Sequence, residues 1–293
     1  MKFSAFIITY KRPETAATTI RALFQQTRPP DEVVVIDNDP AQSASVLENI
    51  DGLPVRYVPV GSNSGAAGGA AKGLQVLAAT GYDWISWIDD DDPPIFKDVY
   101  ERLLHLATTQ PACGCVGIIG QQFDRRNGII TRFPDAAING TGALEVDTIA
   151  GGMIKIVNGG MVREHKVYPD DRMFFGFEDL DVDLQIRKAG YHLYVDKELF
   201  LRHRKHYNRM NLEVQRSVQK PKERLWREYY SIRSLLAILR KHGLDAAFFS
   251  TLLRAVYKVF YNYRFGFVYG NKNAGYMVRG ILDFMLGKYG KRV

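Results

Sequence analysis

Four consecutive aspartates, Asp89 to Asp92, directly follow the apolar run 84–88 and precede two prolines. Adjacent carboxylates repel one another, and oxygen ligands of this kind suit a hard divalent cation such as Mg²⁺ or Mn²⁺. The cluster therefore indicates a metal site that also receives the phosphates of a substrate. The alternative is a solvated acidic turn before a helix whose body begins near Lys97.

A second group of acids, Glu178 and Asp179, follows three closely spaced phenylalanines. The spacing of Leu180 and Leu184 predicts a helix that ends at Gly190. Both acids then lie at the N-terminal end of this helix, where the helix dipole favours an ionised carboxylate. Such a carboxylate beside aromatic side chains is a candidate general base for a hydroxyl group. Simple capping of the helix is the alternative.

His203 lies in the strongly basic segment 202–207. A histidine among basic residues is typical of a surface or a phosphate contact, but beside the aspartate cluster it would complete the coordination of a metal. The stretch 191–201 before it is predicted to form a short hairpin or a pair of strands.

Glycine and alanine occupy residues 65–71, directly before Lys72. The stretch does not match the phosphate-binding pattern G-x-x-x-x-G-K-[ST], because Ala70 stands where the second glycine is required. Small residues would let the backbone and Lys72 approach a diphosphate at the start of a helix. Close packing of that helix against a sheet is the alternative.

Strand and helix signals alternate through the first part of the chain. Strands are predicted at 3–10, 32–37, 55–60 and 84–88, with helices from Pro13, near 44–50 and from Gly65 to Thr80. This order indicates the α/β class, with a doubly wound and mostly parallel sheet that binds ligands at the carboxyl ends of its strands. Asp37, Asn63 and the aspartate cluster all follow strands, so we expect them to share one crevice.

Charge is divided unevenly along the 293 residues. Residues 1–201 hold 19 Lys and Arg against 27 Asp and Glu, whereas residues 202–293 hold 20 against 5. Cys113 and Cys115 form no disulfide framework, the N-terminal apolar stretch is too short for a signal sequence, and no apolar run is long enough to span a bilayer. We therefore expect a cytoplasmic protein with an acidic body and a basic tail.

Apolar and aromatic residues recur at helical spacing through the basic tail, at 225–239, 248–260 and 277–288. Basic amphipathic helices rich in aromatic residues are typical of proteins on an anionic membrane surface. We therefore predict peripheral attachment to the cytoplasmic face of a membrane. Packing on the catalytic domain and a homo-oligomer interface are the alternatives. Nucleic-acid binding is a third reading of the charge, but we expect no nucleic-acid partner.

Four segments, in order, resemble the signature segments of family 2 inverting glycosyltransferases, which have the GT-A fold. They are Thr9-Tyr10-Lys11-Arg12-Pro13, Val35-Ile36-Asp37-Asn38, Asp89-Asp90-Asp91, and Phe177-Glu178-Asp179-Leu180-Asp181 followed by His203. The resemblance implies a catalytic domain at residues 1–207 and leaves 208–293 as a basic helical region.

The resemblance also implies roles for the matched residues. Those expected at the nucleotide sugar from the resemblance are Thr9, Tyr10, Arg12, Asp37, Asp90 and Glu178. Asn63 and Lys72 are expected there from their positions alone, after a strand and at the start of a helix. Asp89, Asp91 and His203 would bind the metal, and Asp179 would be the catalytic base. The additional acid Asp92 leaves Asp90 and Asp92 as an alternative metal pair.

The implied reaction is the metal-dependent, inverting transfer of a sugar from a UDP- or dTDP-linked donor to a saccharide acceptor. Mn²⁺ or Mg²⁺ would neutralise the charge that develops on the diphosphate. The motifs are similar to those of galactofuranosyl- and rhamnosyltransferases of bacterial surface polysaccharides. An acceptor linked to a lipid would explain the basic charge and the aromatic residues of the tail. Two other classes stay open at this point: a sugar-nucleotide nucleotidyltransferase and a non-catalytic scaffold that binds a membrane or an acidic polymer.

Overall fold

The computed structural model describes residues 1–150, 154–211 and 219–293, with the backbone alone for 41–43. Its strands are β1 (Phe3–Thr9), β2 (Val33–Asp37), β3 (Val55–Pro59), β4 (Trp84–Asp89), β5 (Cys113–Gly117), β6 (Gly120–Asp124), β7 (Ile129–Arg132), β8 (Ala143–Val146), β9 (Thr148–Ile149), β10 (Lys155–Asn158) and β11 (His192–Asp196). Its α-helices are α1 (Pro13–Phe24), α2 (Pro40–Leu47), α3 (Gly65–Ala79), α4 (Val99–Thr109), α5 (Gly159–His165), α6 (Glu178–Lys188), α7 (Lys197–His206), α8 (Trp226–Lys241), α9 (Asp245–Tyr261) and α10 (Phe267–Met285).

Within the described residues, the main sheet has eight strands in the order β3-β2-β1-β4-β10-β5-β11-β8. The strands β1 to β4 pair in parallel, and β10 lies antiparallel between β4 and β5. This mostly parallel sheet with helices on both faces confirms the predicted α/β fold of the GT-A type. Because β1, β2, β3 and β4 all end at one edge, the loops after them meet there.

The alternation of side chains along β1 explains how helices cover both faces of the sheet. Phe3, Ala5 and Ile7 are buried in one apolar layer with α1 and α4, and Phe6 is buried in the other with α3. Every residue of β2 is buried, as a continuous β-branched strand in the middle of a parallel sheet requires.

The glycine-rich helix α3 packs directly against β1. A Cβ atom at Gly69 would lie 2.6 Å from a methyl carbon of Ile8, and one at Gly73 would lie 2.3 Å from the ring of Phe6. These distances are far below van der Waals contact. The small residues therefore serve the close helix-to-sheet packing that the sequence analysis gave as the alternative to phosphate binding.

The predicted hairpin at 191–201 is wrong, because this stretch forms β11 followed directly by α7. Asp196 caps the helix: its carboxylate accepts a hydrogen bond of 2.9 Å from the backbone N–H of Leu199. An N-terminal cap of this kind starts a helix immediately after a strand. His203 consequently lies on a helix and not in a loop.

Helix α8 lies against the catalytic body. The buried guanidinium of Arg233 donates hydrogen bonds to the carbonyl oxygens of Met173 (2.8 Å) and Gly290 (3.0 Å), and the Ser234 hydroxyl donates to the carbonyl oxygen of Phe175 (2.9 Å). Of the alternatives given for the basic tail, packing on the catalytic domain is therefore the one observed for this helix. Throughout the described ranges, no helix has the length and apolar character needed to cross a membrane.

Candidate active site

The loops after β1 and β4 are joined by hydrogen bonds and ion pairs between side chains. The Thr9 hydroxyl donates to one carboxylate oxygen of Asp90 at 2.9 Å, and the Arg12 guanidinium contacts the other at 2.5 Å. Arg12 also contacts Asp91 at 2.5 Å. Asp90 is almost completely buried, so these contacts satisfy its charge and fix the position of the whole cluster.

A cleft of about 790 Å³ opens at this edge of the sheet. Seven of the predicted residues line it: Thr9, Tyr10, Arg12, Asn63, Asp89, Asp90 and Asp91. The cleft also has lining residues that were not predicted, among them Asn38, Phe174, Phe175, Trp226, Arg227, Tyr276 and Lys291. Its walls thus come from both the strand-end loops and the C-terminal helices.

Asp89 is the most strongly perturbed acid of the aspartate cluster. It faces the open cleft, while protein surrounds its carboxylate on the other sides. Desolvation raises the pKa of Asp89 to about 7, and the charges of Asp91, Asp90, Asp92 and Asp179 act in the same direction. Carboxylates that repel one another in a cleft have the donor chemistry of a divalent-cation site. Asp89 and Asp91 therefore fit the metal that the fold family implies.

Glu178 and Asp179 approach this acidic region from α6. Burial, together with the charges of Asp179 and Asp89, raises the pKa of Glu178 to about 8. One oxygen of the Glu178 carboxylate is buried without a hydrogen-bond partner among the described residues. Asp179 in turn raises the pKa of Asp89. Acids about ninety residues apart in sequence are therefore within electrostatic reach of one another.

His203 lies in a small cavity beside the cleft. Asp92 and Tyr207 share this cavity, and the imidazole is nearly buried. Burial lowers the pKa of His203 to about 4, and its Nδ1 atom has no hydrogen-bond partner among the described residues. A neutral imidazole is the form that binds metals. In the part of the chain that the structure describes, however, no three His, Cys, Asp or Glu side chains are already grouped as a metal site.

Asp37 lies beneath the cleft surface. It is fully buried, and its carboxylate accepts hydrogen bonds from the Tyr57 hydroxyl at 2.7 Å and from the backbone N–H of Asp39 at 2.8 Å. These contacts orient the loop after β2. The residue of this strand end that lines the cleft is the next one, Asn38.

Asn38 and Asn63 fix the start of α3. The amide oxygen of Asn38 accepts hydrogen bonds from the backbone N–H and the hydroxyl of Ser64, at 3.1 and 2.8 Å, and its amide nitrogen donates to the carbonyl oxygen of Gly65 at 3.2 Å. The amide oxygen of Asn63 accepts from the backbone N–H of Gly65 at 3.0 Å. Asn38 was quoted in a motif but not predicted as a site residue.

Lys72 lies outside the cleft. It lines a separate cavity of about 480 Å³ together with Ser64 and Arg172. The structure thus places Lys72 apart from the aspartate cluster, on α3 between Gly69 and Gly73, the two glycines that pack against β1.

An aromatic and basic wall faces the acids across the cleft. The rings of Phe175 and Trp226 lie 5.3 Å apart, and the Arg227 guanidinium lies 5.5 Å from each. No sequence signal distinguished Trp226 and Arg227 from the other aromatic and basic residues of the tail. Their position depends on how α8 docks, which local patterns do not specify.

One protein family matches the part of the chain that contains β1 to β4 and the acids at the strand ends. The model of the family Glycosyl transferase family 2 matches residues 4–154, more than half of the chain. The chain belongs to glycosyl transferase family 2. The predicted resemblance to family 2 is therefore confirmed.

Curated relatives narrow the comparison. The chain is 29% identical over 199 residues to the galactofuranosyltransferase GlfT1 of Mycolicibacterium smegmatis, a match that covers 64% of this chain and 65% of the relative. GlfT1 of Mycobacterium tuberculosis is also 29% identical, over 204 residues, with 64% of each chain covered. The match therefore spans slightly less than two thirds of these relatives.

Solved glycosyltransferases share the fold of this family 2 enzyme. The mannosyltransferase PcManGT of Pyrobaculum calidifontis, in complex with GDP-Man and Mn²⁺, has a TM-score of 0.55 and 13% identity, and covers 98% of this chain and 88% of that one. TarS 1–349 of S. aureus with UDP-GlcNAc has a TM-score of 0.52 and 15% identity, and covers 97% and 81%. These likenesses establish the GT-A fold.

Proposed function

We propose that this family 2 enzyme catalyses the metal-dependent, inverting transfer of a sugar from a nucleoside-diphosphate sugar to a saccharide acceptor. The observation that carries the proposal is the electrostatic contact between Asp89, at the end of β4, and Asp179, at the start of α6. A transferase of this kind needs its leaving-group site and its base on opposite sides of one reacting carbon. Asp89 lines the cleft from β4, and Asp179, which is not among the lining residues, lies within electrostatic reach of it on a different element, α6.

Asp179 acts in this proposal as the general base. It removes the proton of an acceptor hydroxyl, which then attacks the anomeric carbon from the face opposite the diphosphate. Glu178, whose pKa is raised to about 8, keeps its proton at neutral pH and can donate a hydrogen bond to a sugar hydroxyl. Only one carboxylate acts as a base, so configuration inverts without a covalent intermediate.

Asp89 and Asp91 are the proposed metal ligands, with His203 as a third. When bound, Mn²⁺ or Mg²⁺ supplies Lewis-acid stabilisation of the diphosphate that departs. Arg12 holds Asp90 and Asp91 and lines the same cleft, so its guanidinium lies where it can also meet a phosphate oxygen. The alternative pair Asp90 and Asp92 is less well supported, because Asp90 is already buried against Thr9 and Arg12.

The donor proposed here is a UDP- or dTDP-linked galactofuranose or rhamnose. The relatives named as galactofuranosyltransferases support the first of these sugars. Thr9, Tyr10, Arg12 and Asn63 line the cleft where the nucleotide would bind. Asp37 would act through the loop it orients, since its own carboxylate is buried and already accepts two hydrogen bonds.

The acceptor proposed is a lipid-linked saccharide of surface polysaccharide synthesis, reached from the cytoplasmic face of a membrane. The support is an exposed apolar face on the last two long helices, formed by Phe249, Leu253, Val256, Tyr257, Phe260, Phe267, Val268, Val278, Leu282, Met285 and Leu286. Residues 245–293 hold eight Lys and Arg against two Asp. Contiguous apolar surface with a basic excess suits an anionic lipid surface better than a second copy of an equally basic face.

Release of nucleoside diphosphate from sugar nucleotides tests the proposed function. We expect UDP-galactofuranose with Mn²⁺ and a glycan acceptor to give release that EDTA abolishes and added Mn²⁺ restores. Asp89→Asn should lose this activity, whereas Asp171→Asn, an exposed acid near α6, should keep it. Release of inorganic pyrophosphate from a nucleoside triphosphate and a sugar 1-phosphate would instead support a nucleotidyltransferase, and no turnover with any of these substrates would favour the scaffold.

A further inference from the structure

Lys155 is a buried lysine behind the first turn of α6. It lies on β10, opposite Trp87 of β4, and its side chain is only 1% exposed. Its ammonium nitrogen lies 2.5 Å from a carboxylate oxygen of Asp183 and donates a hydrogen bond of 3.1 Å to the main-chain oxygen of Asp179. One side chain thus connects β10, the neighbour of the strand that ends in Asp89, with the helix that begins at Glu178.

Asp183 is held from a third element as well. Its other carboxylate oxygen accepts hydrogen bonds from the Thr148 hydroxyl at 2.7 Å and from the backbone N–H of Ile149 at 2.9 Å, both on β9. The carboxylate is fully buried. Lys155 and Asp183 therefore form a rigid connection between β9, β10 and α6.

Stability alone does not account for a completely buried ion pair. Two charges lose their hydration on burial, and apolar residues of similar volume in the same place are often equally stable or more stable. A chain that retains such a pair behind its proposed base has a reason in the reaction. This reasoning rests on the proposed function, because it takes Asp179 as the base.

We propose that Lys155 is a positioning residue for Asp179. It holds the main chain of the first turn of α6 through the Asp179 carbonyl oxygen and anchors the same helix through Asp183, so that the Asp179 carboxylate keeps the position it needs at the cleft.

The groups around Asp179 come from several elements. Glu178 on the same helix and Asp89 from β4 are acids, and Lys155 from β10 is the cation that faces them, with Asp183 and the buried Cys115 thiol beside it. Without Lys155, the first turn of α6 loses a hydrogen bond to its main chain, and Asp183 loses the cation beside its buried carboxylate. The base can then move relative to the acceptor hydroxyl, and a displacement of about 1 Å lowers a rate by up to about 10²-fold.

Steady-state kinetics of the full chain test this role. In Lys155→Met we expect kcat to fall about tenfold or more, while the KM for the sugar nucleotide stays within about twofold. Lys155→Arg keeps a charged donor for the Asp179 carbonyl oxygen and for Asp183, so it should recover most of the lost kcat. A folded Lys155→Met enzyme with the wild-type kcat, or one that loses kcat and KM together without recovery in Lys155→Arg, would overturn the proposal.

Thr148→Val is the milder variant for the case in which Lys155→Met does not fold. It removes one hydrogen bond to Asp183 and leaves every charge in place, so we expect kcat to fall about two- to fivefold with KM unchanged. Wild-type kcat in this variant would also count against the positioning role. An inactive wild-type enzyme would refute the proposed function instead, so the two failures are distinguishable.

Discussion

Lys241, at the end of α8, donates hydrogen bonds of 2.8 and 2.7 Å to both carboxylate oxygens of Asp181, on α6. The His242 Nε2 atom lies 2.8 Å from the same carboxylate. Asp181 is two residues from the proposed base Asp179 and is fully buried. The C-terminal region thus contacts the helix of the proposed base, and we expect its docking to affect both stability and catalysis.

Replacement of Asp181 should show this coupling as a pH-dependent loss of stability. Burial alone would raise the pKa of Asp181, but His242 and Lys241 outweigh it and hold the pKa below its ordinary value. Because the pKa is lowered in the folded state, the carboxylate stabilises the fold at pH values above its ordinary pKa of ~4. This stabilisation is lost as the pH falls through the pKa of the folded state. We expect Asp181→Asn to lower the free energy of unfolding by roughly 3 kcal/mol at pH 7, measured by urea unfolding. The difference from wild type should shrink toward pH 3.

Asp245→Asn is the matched control for this prediction. Asp245 also pairs with a basic residue of α8, Arg240 at 3.0 Å, but both side chains are more than 60% exposed. An exposed ion pair contributes about 0 to 1 kcal/mol. Equal losses in Asp181→Asn and Asp245→Asn would show that the buried contact does not couple the two helices.

Replacement of Asp179 by asparagine tests the proposed base directly. Asparagine preserves the shape of the side chain but cannot accept the proton of the acceptor hydroxyl, so we expect kcat to fall about 10²- to 10⁴-fold. Binding of the sugar nucleotide should persist and can be measured by its effect on the melting temperature. Asp171→Asn in the same segment should behave as wild type. Turnover at the wild-type rate in Asp179→Asn would remove Asp179 from this role.

The sequence predicted the sheet and its strand-end acids because their signals are local. A β-branched run such as 33–36 or an apolar strand that ends in acids indicates its own environment, and parallel strands bring their carboxyl ends together. The hairpin predicted at 191–201 failed because a single side chain, Asp196, determines the outcome by capping α7. The alternation of apolar residues before it did not contain this information.

Contacts between distant elements could not be predicted in this way. Trp226 and Arg227 reach the cleft only because Arg233 and Lys241 dock α8 on residues far away in the sequence. Lys155 was overlooked for the same reason, since a lone lysine in a short strand resembles a surface residue until its partner Asp183 is known. Lys72 shows the converse. The glycine-rich pattern before it suggested phosphate binding, but in the structure these small residues allow α3 to pack closely against β1.

The apolar face of α9 and α10 should bind anionic lipid. Leu253 and Phe260 are both 71% exposed and lie seven residues apart, on one side of α9. Burial of each side chain in a lipid interface is worth about 1.5 to 3 kcal/mol, so Leu253→Ser with Phe260→Ser should reduce the bound fraction at least tenfold. Flotation with vesicles of phosphatidylglycerol and phosphatidylcholine measures this.

Ile129→Ser provides the control for the lipid experiment, because Ile129 is also an exposed apolar residue but lies on β7. It should leave flotation unchanged. Flotation should also weaken at high salt, since exposed basic residues contribute through a screened interaction. If the wild-type chain does not float with the vesicles at low salt, or if the double variant floats as well as wild type, this apolar face binds a partner other than lipid.

Gly65 should be the least replaceable glycine at the cleft. It lies at the first position of α3 with φ of +73°, and a Cβ atom there would come 2.0 Å from the main-chain oxygen of Phe174. Gly65→Ala therefore has two costs: the left-handed backbone, about 1 to 2 kcal/mol, and a clash that displaces the loop before α6, about 1 to 3 kcal/mol more. Gly61→Ala separates the cost of the backbone from the cost of the clash, because Gly61 has φ of +80° but no atom within 4 Å of the added carbon. We expect urea unfolding to show the larger loss in Gly65→Ala, together with weaker binding of sugar nucleotide in that variant alone. Similar losses in both variants would mean that the Phe174 loop moves without affecting the cleft.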